Sequence, residues 1–264
     1  MSKVLVIARK ELGVFFTTAT GYAGFGAYAF LMGLLFISAL NRFQQLTQYY
    51  LGQQRPDMLE ALNFNDAILA PMFSSGVWMF LFFVPFLTMR LFAEEKSGRT
   101  FELLMTAPVT SWDLVLGKFL ASGLMVVVMA VIPVVFPLIL ESYGSAPGTG
   151  SSVEWNPVWS ALGFTALLGL AFVAIGLWMS ALTESQIMAA LLTFGILLMG
   201  YILPMIAGRL EGDWRAVLEY LSPVNHVSRG IQGRVLLEDL VYFVSVTGAC
   251  LFYTQRVVES HRWR

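Results

Sequence analysis

The stretch Ala93–Lys118, AEEKSGRTFELLMTAPVTSWDLVLGK, decides how this chain is read. Glu94, Glu95, Lys96, Arg99, Glu102, Asp113 and Lys118 all fall in it, the densest group of charges in the sequence. Apolar runs flank it, 67–92 before and 119–140 after. A helix needs about 20 apolar residues to cross the roughly 30 Å hydrocarbon core of a bilayer, and each run is long enough. A polar, helical element is therefore held between two membrane spans. It moves with them and lies open to a partner outside the bilayer.

The rest of the composition agrees. The chain is 57% hydrophobic and 12% charged, against roughly 25% charged in soluble domains. Its mean hydropathy is +0.71, and the apolar residues come in runs rather than in alternation. The expected class is all-α, a polytopic membrane protein with six transmembrane helices and the lipid bilayer as its first partner. The single Cys250 rules out a disulfide framework or a cysteine-based metal site within one chain. A net charge of −1 with no basic tract gives no sign of a nucleic-acid partner.

Working outward, residues 3–18 open the chain. Placed at helical spacing, Val4, Leu5, Ala8, Leu12, Phe15 and Phe16 share one arc, with Lys3, Arg9, Lys10 and Glu11 off it. This is an amphipathic helix lying in the membrane interface. Glu11 and the bulky Phe15–Phe16 pair do not suit a signal peptide, so the segment is expected to be retained. The first span is 22–40. Gly21, Gly24, Gly26 and Gly33 give it a small-residue face, which reads either as a close helix contact or as the ordinary glycine content of membrane helices. Residues 41–66 read as a loop or short helix.

The second span is 68–92, and Pro71 and Pro85 are expected to bend it. The charged segment 93–118 follows, then a third span at 119–140 with Pro133 and Pro137, and a Gly/Pro/Ser-rich loop to residue 157. The fourth and fifth spans, 158–182 and 187–207, are separated only by Thr183–Gln186 and form a tight antiparallel pair. Residues 208–238 are polar and too irregular for a span, and read as an extracellular or re-entrant segment. The sixth span is 239–254. Tyr22, Trp78, Trp112, Trp155, Trp159 and Trp214, near span ends, read as an interfacial aromatic belt.

Six spans place both termini on one side. Ten of the sixteen Lys and Arg residues fall there, which puts the termini and the charged segment in the cytoplasm. No GxxxxGK[ST], HExxH or GxSxG sequence occurs. Ser222, His226 and Asp239 read as polar loop residues rather than as a catalytic triad. The span centres carry almost no ionisable residues, unlike an ion-coupled transporter. The energy source is therefore expected in a partner.

Residues 89–121, MRLFAEEKSGRTFELLMTAPVTSWDLVLGKFLA, resemble the first cytoplasmic loop of ABC-2 type transporter permeases. The resemblance lies in Glu94-Glu95-Lys96 with Gly98 and Thr100, in Leu103, Leu104, Thr106, Pro108 and Val109, and in Gly117-Lys118. Residues 174–186, AIGLWMSALTESQ, resemble that family's turn between the fourth and fifth spans. Residues 218–230 and the ending ESHRWR, 259–264, resemble its gliding-motility (GldF-like) subgroup. The resemblance covers nearly the whole chain.

It implies the type V exporter fold: six spans, an N-terminal interfacial helix, a cytoplasmic coupling helix and an extracellular re-entrant helical hairpin. It implies a non-catalytic permease subunit in a bacterial inner membrane, paired with a second permease chain as homo- or heterodimer and with a cytoplasmic ABC ATPase. ATP and magnesium then belong to that ATPase, and no cofactor to this chain. The coupling helix is expected over 97–105. Phe101, Leu104 and Met105 are its anchors in the ATPase groove, with Glu94, Glu95, Arg99 and Glu102 as a charged rim. The cargo is expected to be amphipathic or large. The alternative is a subunit that moves nothing and passes ATPase motion to a periplasmic accessory protein.

Overall fold

The computed structural model describes residues 2–54, 57–58, 62–102, 109–143 and 153–261. Helix α1 (Lys3–Thr17) ends where Thr18 turns extended, and α2 (Ala19–Gly52) begins at once. A single π-helical turn, Asn65–Leu69, leads into α3 (Ala70–Thr88), and the short α4 (Ala93–Ser97) follows. Helix α5 (Ser111–Val131) passes through a 3-10 turn at Ile132–Val134 into α6 (Val135–Tyr143). Then come α7 (Trp155–Leu182), α8 (Gln186–Ala207), α9 (Asp213–Leu221), α10 (Pro223–Ile231) and α11 (Leu237–Ser260). The described residues contain no strand. Among the described residues six helical stretches are long and apolar enough to cross a membrane: Gly21–Gly52, Asn65–Ser97, Ser111–Tyr143, Trp155–Leu182, Gln186–Ala207 and Leu237–Ser260.

Several boundaries differ from the sequence reading, each for a local reason. The helix of the first span runs on to Gly52, where a loop or short helix was expected from residue 41. The segment NRFQQLTQYY contains neither Gly nor Pro to stop it, and Phe43 packs on Phe64 with ring centroids 5.0 Å apart. Pro71 directly follows the π-helical turn, which interrupts the regular ladder just before it; Pro85 lies within α3. Pro133 coincides with the 3-10 turn that interrupts the third span. The sixth helix extends to Ser260, beyond the expected end at Thr254. Residues 208–238 form two helices of nine residues each. At 1.5 Å per residue neither is long enough to cross a bilayer.

Helix α7 is the centre of the bundle and touches α3, α5, α8, α10 and α11. It is apolar on every face, as a helix surrounded by others must be, and its span is 61% buried against 17% for α2 and for α8. Close packing depends on missing side chains. A Cβ on Gly169 would lie 2.2 Å from Val126 Cγ1, and one on Gly176 the same distance from Thr88 Oγ1. The main core joins Tyr28, Met32, Phe73, Phe80, Phe172 and Phe243 across four of the spans. A second core, at the end of the bundle that carries both termini, contains Phe15, Leu91, Phe92, Phe101, Val115 and Leu177.

Candidate functional site

That second core is the floor under the charged segment. After α3 ends at Thr88, the chain turns across the end of α7. The Ser180 hydroxyl accepts hydrogen bonds from the N–H groups of Phe92 and Ala93, at 3.0 and 3.2 Å, and donates to the Met89 carbonyl at 3.0 Å. One serine thus satisfies a carbonyl left over at the end of α3 and two N–H groups left over at the start of α4. Lys96 Nζ donates to the Ala181 carbonyl and lies 3.4 Å from His261 Nε2 at the end of α11.

Helix α4 ends in a Schellman turn. Thr100 N–H donates to the Glu95 carbonyl at 3.0 Å and Arg99 N–H to the Lys96 carbonyl at 3.2 Å. Arg99, at φ +55°, takes the left-handed position that glycine usually fills. A helical turn resumes at Phe101. The expected coupling helix over 97–105 is therefore not continuous: it is broken at 98–100 by this turn. Glu94, Arg99 and Glu102 are exposed. Phe101 is turned inward and 6% exposed, its ring 6.3 Å from Phe92 and 5.9 Å from His261. It is committed within the chain, so it cannot also fill a partner's groove in this conformation. Leu104 and Met105 lie outside the described residues.

Glu95 faces inward too. Its Oε1 accepts from Lys118 Nζ at 2.8 Å, and Glu11 Oε1 of α1 accepts from the same ammonium at 3.0 Å. Lys118 is 2% exposed, and its Nζ lies 5.2 Å from the centre of the Phe92 ring. Lys10 Nζ stands 3.7 Å from both carboxylates, at the outer edge. Next to it Gly117 admits α1: a Cβ there would sit 2.7 Å from Ile7 Cβ. The adjacent Gly117 and Lys118 thus have one task each, close approach and ion pairing. Helix α5 is started by a capping box in which the Thr110 hydroxyl accepts from Asp113 N–H at 3.1 Å and Thr110 N–H donates to Asp113 Oδ2 at 2.9 Å.

The segment is thus tied to α1 and α5 through Lys118, to α7 through Ser180 and Ala181, and to α11 through His261. Sequence reasoning singled out Glu95 and Lys118 by type. It missed Glu11 as their partner, and Ser180 and His261 altogether. The one available signal was Glu11, an acid with Lys10 beside it near the apolar arc of α1.

At the opposite end, Ser222, His226 and Asp239 are all fully buried rather than solvated loop residues. They form no triad. Ser222 Oγ donates to the Gly200 carbonyl at 3.3 Å, His226 Nε2 donates to the Tyr220 carbonyl at 2.7 Å, and His226 Nδ1 lies 2.5 Å from Asp239 Oδ1. Arg229 Nη2 donates to Asp239 Oδ1 at 2.5 Å, and Ser160 Oγ to the Gly230 carbonyl at 2.7 Å. These contacts clamp α9 and α10 onto α7, α8 and α11.

No curated protein matches the chain. A family model described as "ABC-2 family transporter protein" matches residues 5–253, from the first turns of α1 almost to the end of α11. The chain is a multi-pass membrane protein and belongs to that family.

Proposed function

We propose that the chain is the permease subunit of an ATP-driven exporter and that residues 93–102, with the segment beyond them, are where a separate cytoplasmic ABC ATPase grips it. The observation that carries this reading is the two-sidedness of the segment. Glu94, Arg99 and Glu102 face outward, while Glu95, Lys96 and Phe101 are fixed to α1, α5, α7 and α11. A charged rim on a firmly held base is what a partner needs in order to move helices rather than to bend a loop. ATP and magnesium are bound by the ATPase, and this subunit carries no catalytic group. The outward charges set register with the partner, and Leu104 and Met105 supply apolar anchors.

The same reading places both termini in the cytoplasm of a bacterium and the α9–α10 hairpin outside its inner membrane. It gives the exposed faces of α2 and α8 to lipid and to a second permease chain. Stretches 218–230 and 259–264 support membership of the GldF-like subgroup.

The test is co-purification in mild detergent, wild type beside the Glu94→Arg/Glu102→Arg double variant. An ATPase subunit that comes down with wild type and is lost from the variant is the expected result. If wild type brings down no ATPase in several detergents, the reading fails. If the variant retains the ATPase fully, the docking element lies elsewhere.

A further inference from the structure

A cleft of about 470 Å³ opens between α1, α2, α3 and α5, beneath the charged segment. Its walls are apolar and soft: Phe25 of α2, Phe83 and Phe86 of α3, and Met125 and Met129 of α5. Gly24 contributes bare backbone to the wall, and a Cβ built on it meets no heavy atom within 4 Å. The ionisable groups lining the cleft are Arg90 and Glu94, with the Gln186 amide beside them. All three follow span ends or begin them, so the polar lining gathers at the terminus-bearing end and the apolar walls run deeper.

The two charges are unspent. Among the described residues, Arg90 has no carboxylate within ion-pairing distance and Glu94 no cation, and they do not pair with each other. The Arg90 guanidinium is held instead 4.4 Å over the Phe15 ring, which fixes its place and leaves its N–H groups without acceptors. A cation and an anion kept apart at the rim of an apolar cleft match a ligand that carries both charges and an apolar tail. A purely anionic headgroup would satisfy Arg90 and be repelled by Glu94. An uncharged one would leave both unmatched.

We infer that this cleft binds a zwitterionic phospholipid, with the phosphate on Arg90, the ammonium toward Glu94 and an acyl chain along Phe25, Phe83 and Phe86. The volume is in the range of small-molecule sites, about 300–1,000 Å³. It takes part of a chain, and the remainder follows the exposed face at Phe86, 66% accessible. The inference deepens the export reading, on which only the role of the bound lipid as cargo rests. Binding itself requires no ATPase.

The experiment uses the full chain in nanodiscs containing equal amounts of phosphatidylethanolamine and phosphatidylglycerol, with retained lipid counted by native mass spectrometry. Wild type should hold phosphatidylethanolamine over phosphatidylglycerol by roughly tenfold, the effect of one matched charge contact. Glu94→Gln should bring phosphatidylglycerol up to parity. Arg90→Gln should lose both lipids. Gly24→Trp, which fills the cleft from an open position, should lower phosphatidylethanolamine by about tenfold with the thermal midpoint unchanged. Equal or greater retention of phosphatidylglycerol by wild type overturns the proposal. So does wild-type retention of phosphatidylethanolamine by Arg90→Gln, with the thermal midpoint of that variant read alongside to show that the fold is intact. ATPase co-purification is read on the same wild-type preparation. ATPase absent with lipid selectively held sinks the subunit reading alone, and ATPase present with no lipid preference sinks this inference alone.

Discussion

The ammonium of Lys118 lies inside the protein between a carboxylate of α1 and one of α4, at 3.0 and 2.8 Å. Such a buried group of charges adds little net stability when complete, because desolvation cancels most of the attraction. Removing one member is costly, about 3–5 kcal/mol, because the others stay buried and uncompensated. Lys118→Met should therefore destabilise the protein by about 3 kcal/mol in thermal unfolding in detergent, with Glu11 and Glu95 left facing each other. Glu94→Gln, one residue from Glu95 but exposed and unpaired, should change stability by less than about 0.5 kcal/mol. A similar fall in both variants would mean that burial is not what distinguishes them. Asp239 makes the same case at the other end, since its Oδ1 serves both Arg229 and His226 at 2.5 Å. Asp239→Ala should cost about 3–5 kcal/mol and should loosen α9 and α10 first, which hydrogen exchange in that hairpin would report as lost protection.

The element that sequence reasoning read least well is α4 and its turn. Hydropathy gave the spans easily, because a run of some twenty apolar residues has few other uses. Helical spacing gave α1, although of its apolar arc only Ala8 and Phe15 are buried against the protein, while Leu5 and Phe16 are exposed. The turn at 98–100 was harder. Gly98 advertises a helix end, but the left-handed residue is Arg99, a type that carries no such signal. Nor could spacing show that Phe101 turns inward, since its partner His261 lies at the far end of the chain. Ser180 sits in an otherwise apolar run and looked like any small membrane residue. Long-range polar contacts have no local pattern, and most of this site consists of them. The strained turn makes a prediction with two readouts of opposite sign. Arg99→Gly should relieve about 1 kcal/mol of left-handed strain and raise the thermal midpoint slightly. It should also weaken ATPase retention, because an outward charge is lost. A variant that loses stability would mean that the Arg99 side chain, not its backbone, holds the turn.

At the scale of the molecule, the burial of the spans separates a fixed part from a free one. Helix α7, 61% buried, gathers the charged segment at one end and the α9–α10 hairpin at the other. Helices α2 and α8, each 17% buried, leave most of their apolar surface for lipid or another chain. On the proposed reading, a push on the charged segment reaches α7 through Ser180 and also reaches α8, which α4 touches directly. That mechanics has a direction only if the segment and the hairpin lie on opposite sides of the membrane, and the lone Cys250 makes this easy to examine. In a Cys250→Ala background, Ser260→Cys reports the end of α11 beside His261, and Arg215→Cys reports α9; both positions are exposed. A membrane-impermeant maleimide applied to intact cells should label Arg215→Cys, and should label Ser260→Cys only after permeabilisation. The reverse pattern would turn the molecule over and place the charged segment outside, where no cytoplasmic ATPase reaches it. Labelling of both from the same side would remove a span between them, and with it the six-crossing path that brings α1, α4 and the end of α11 together.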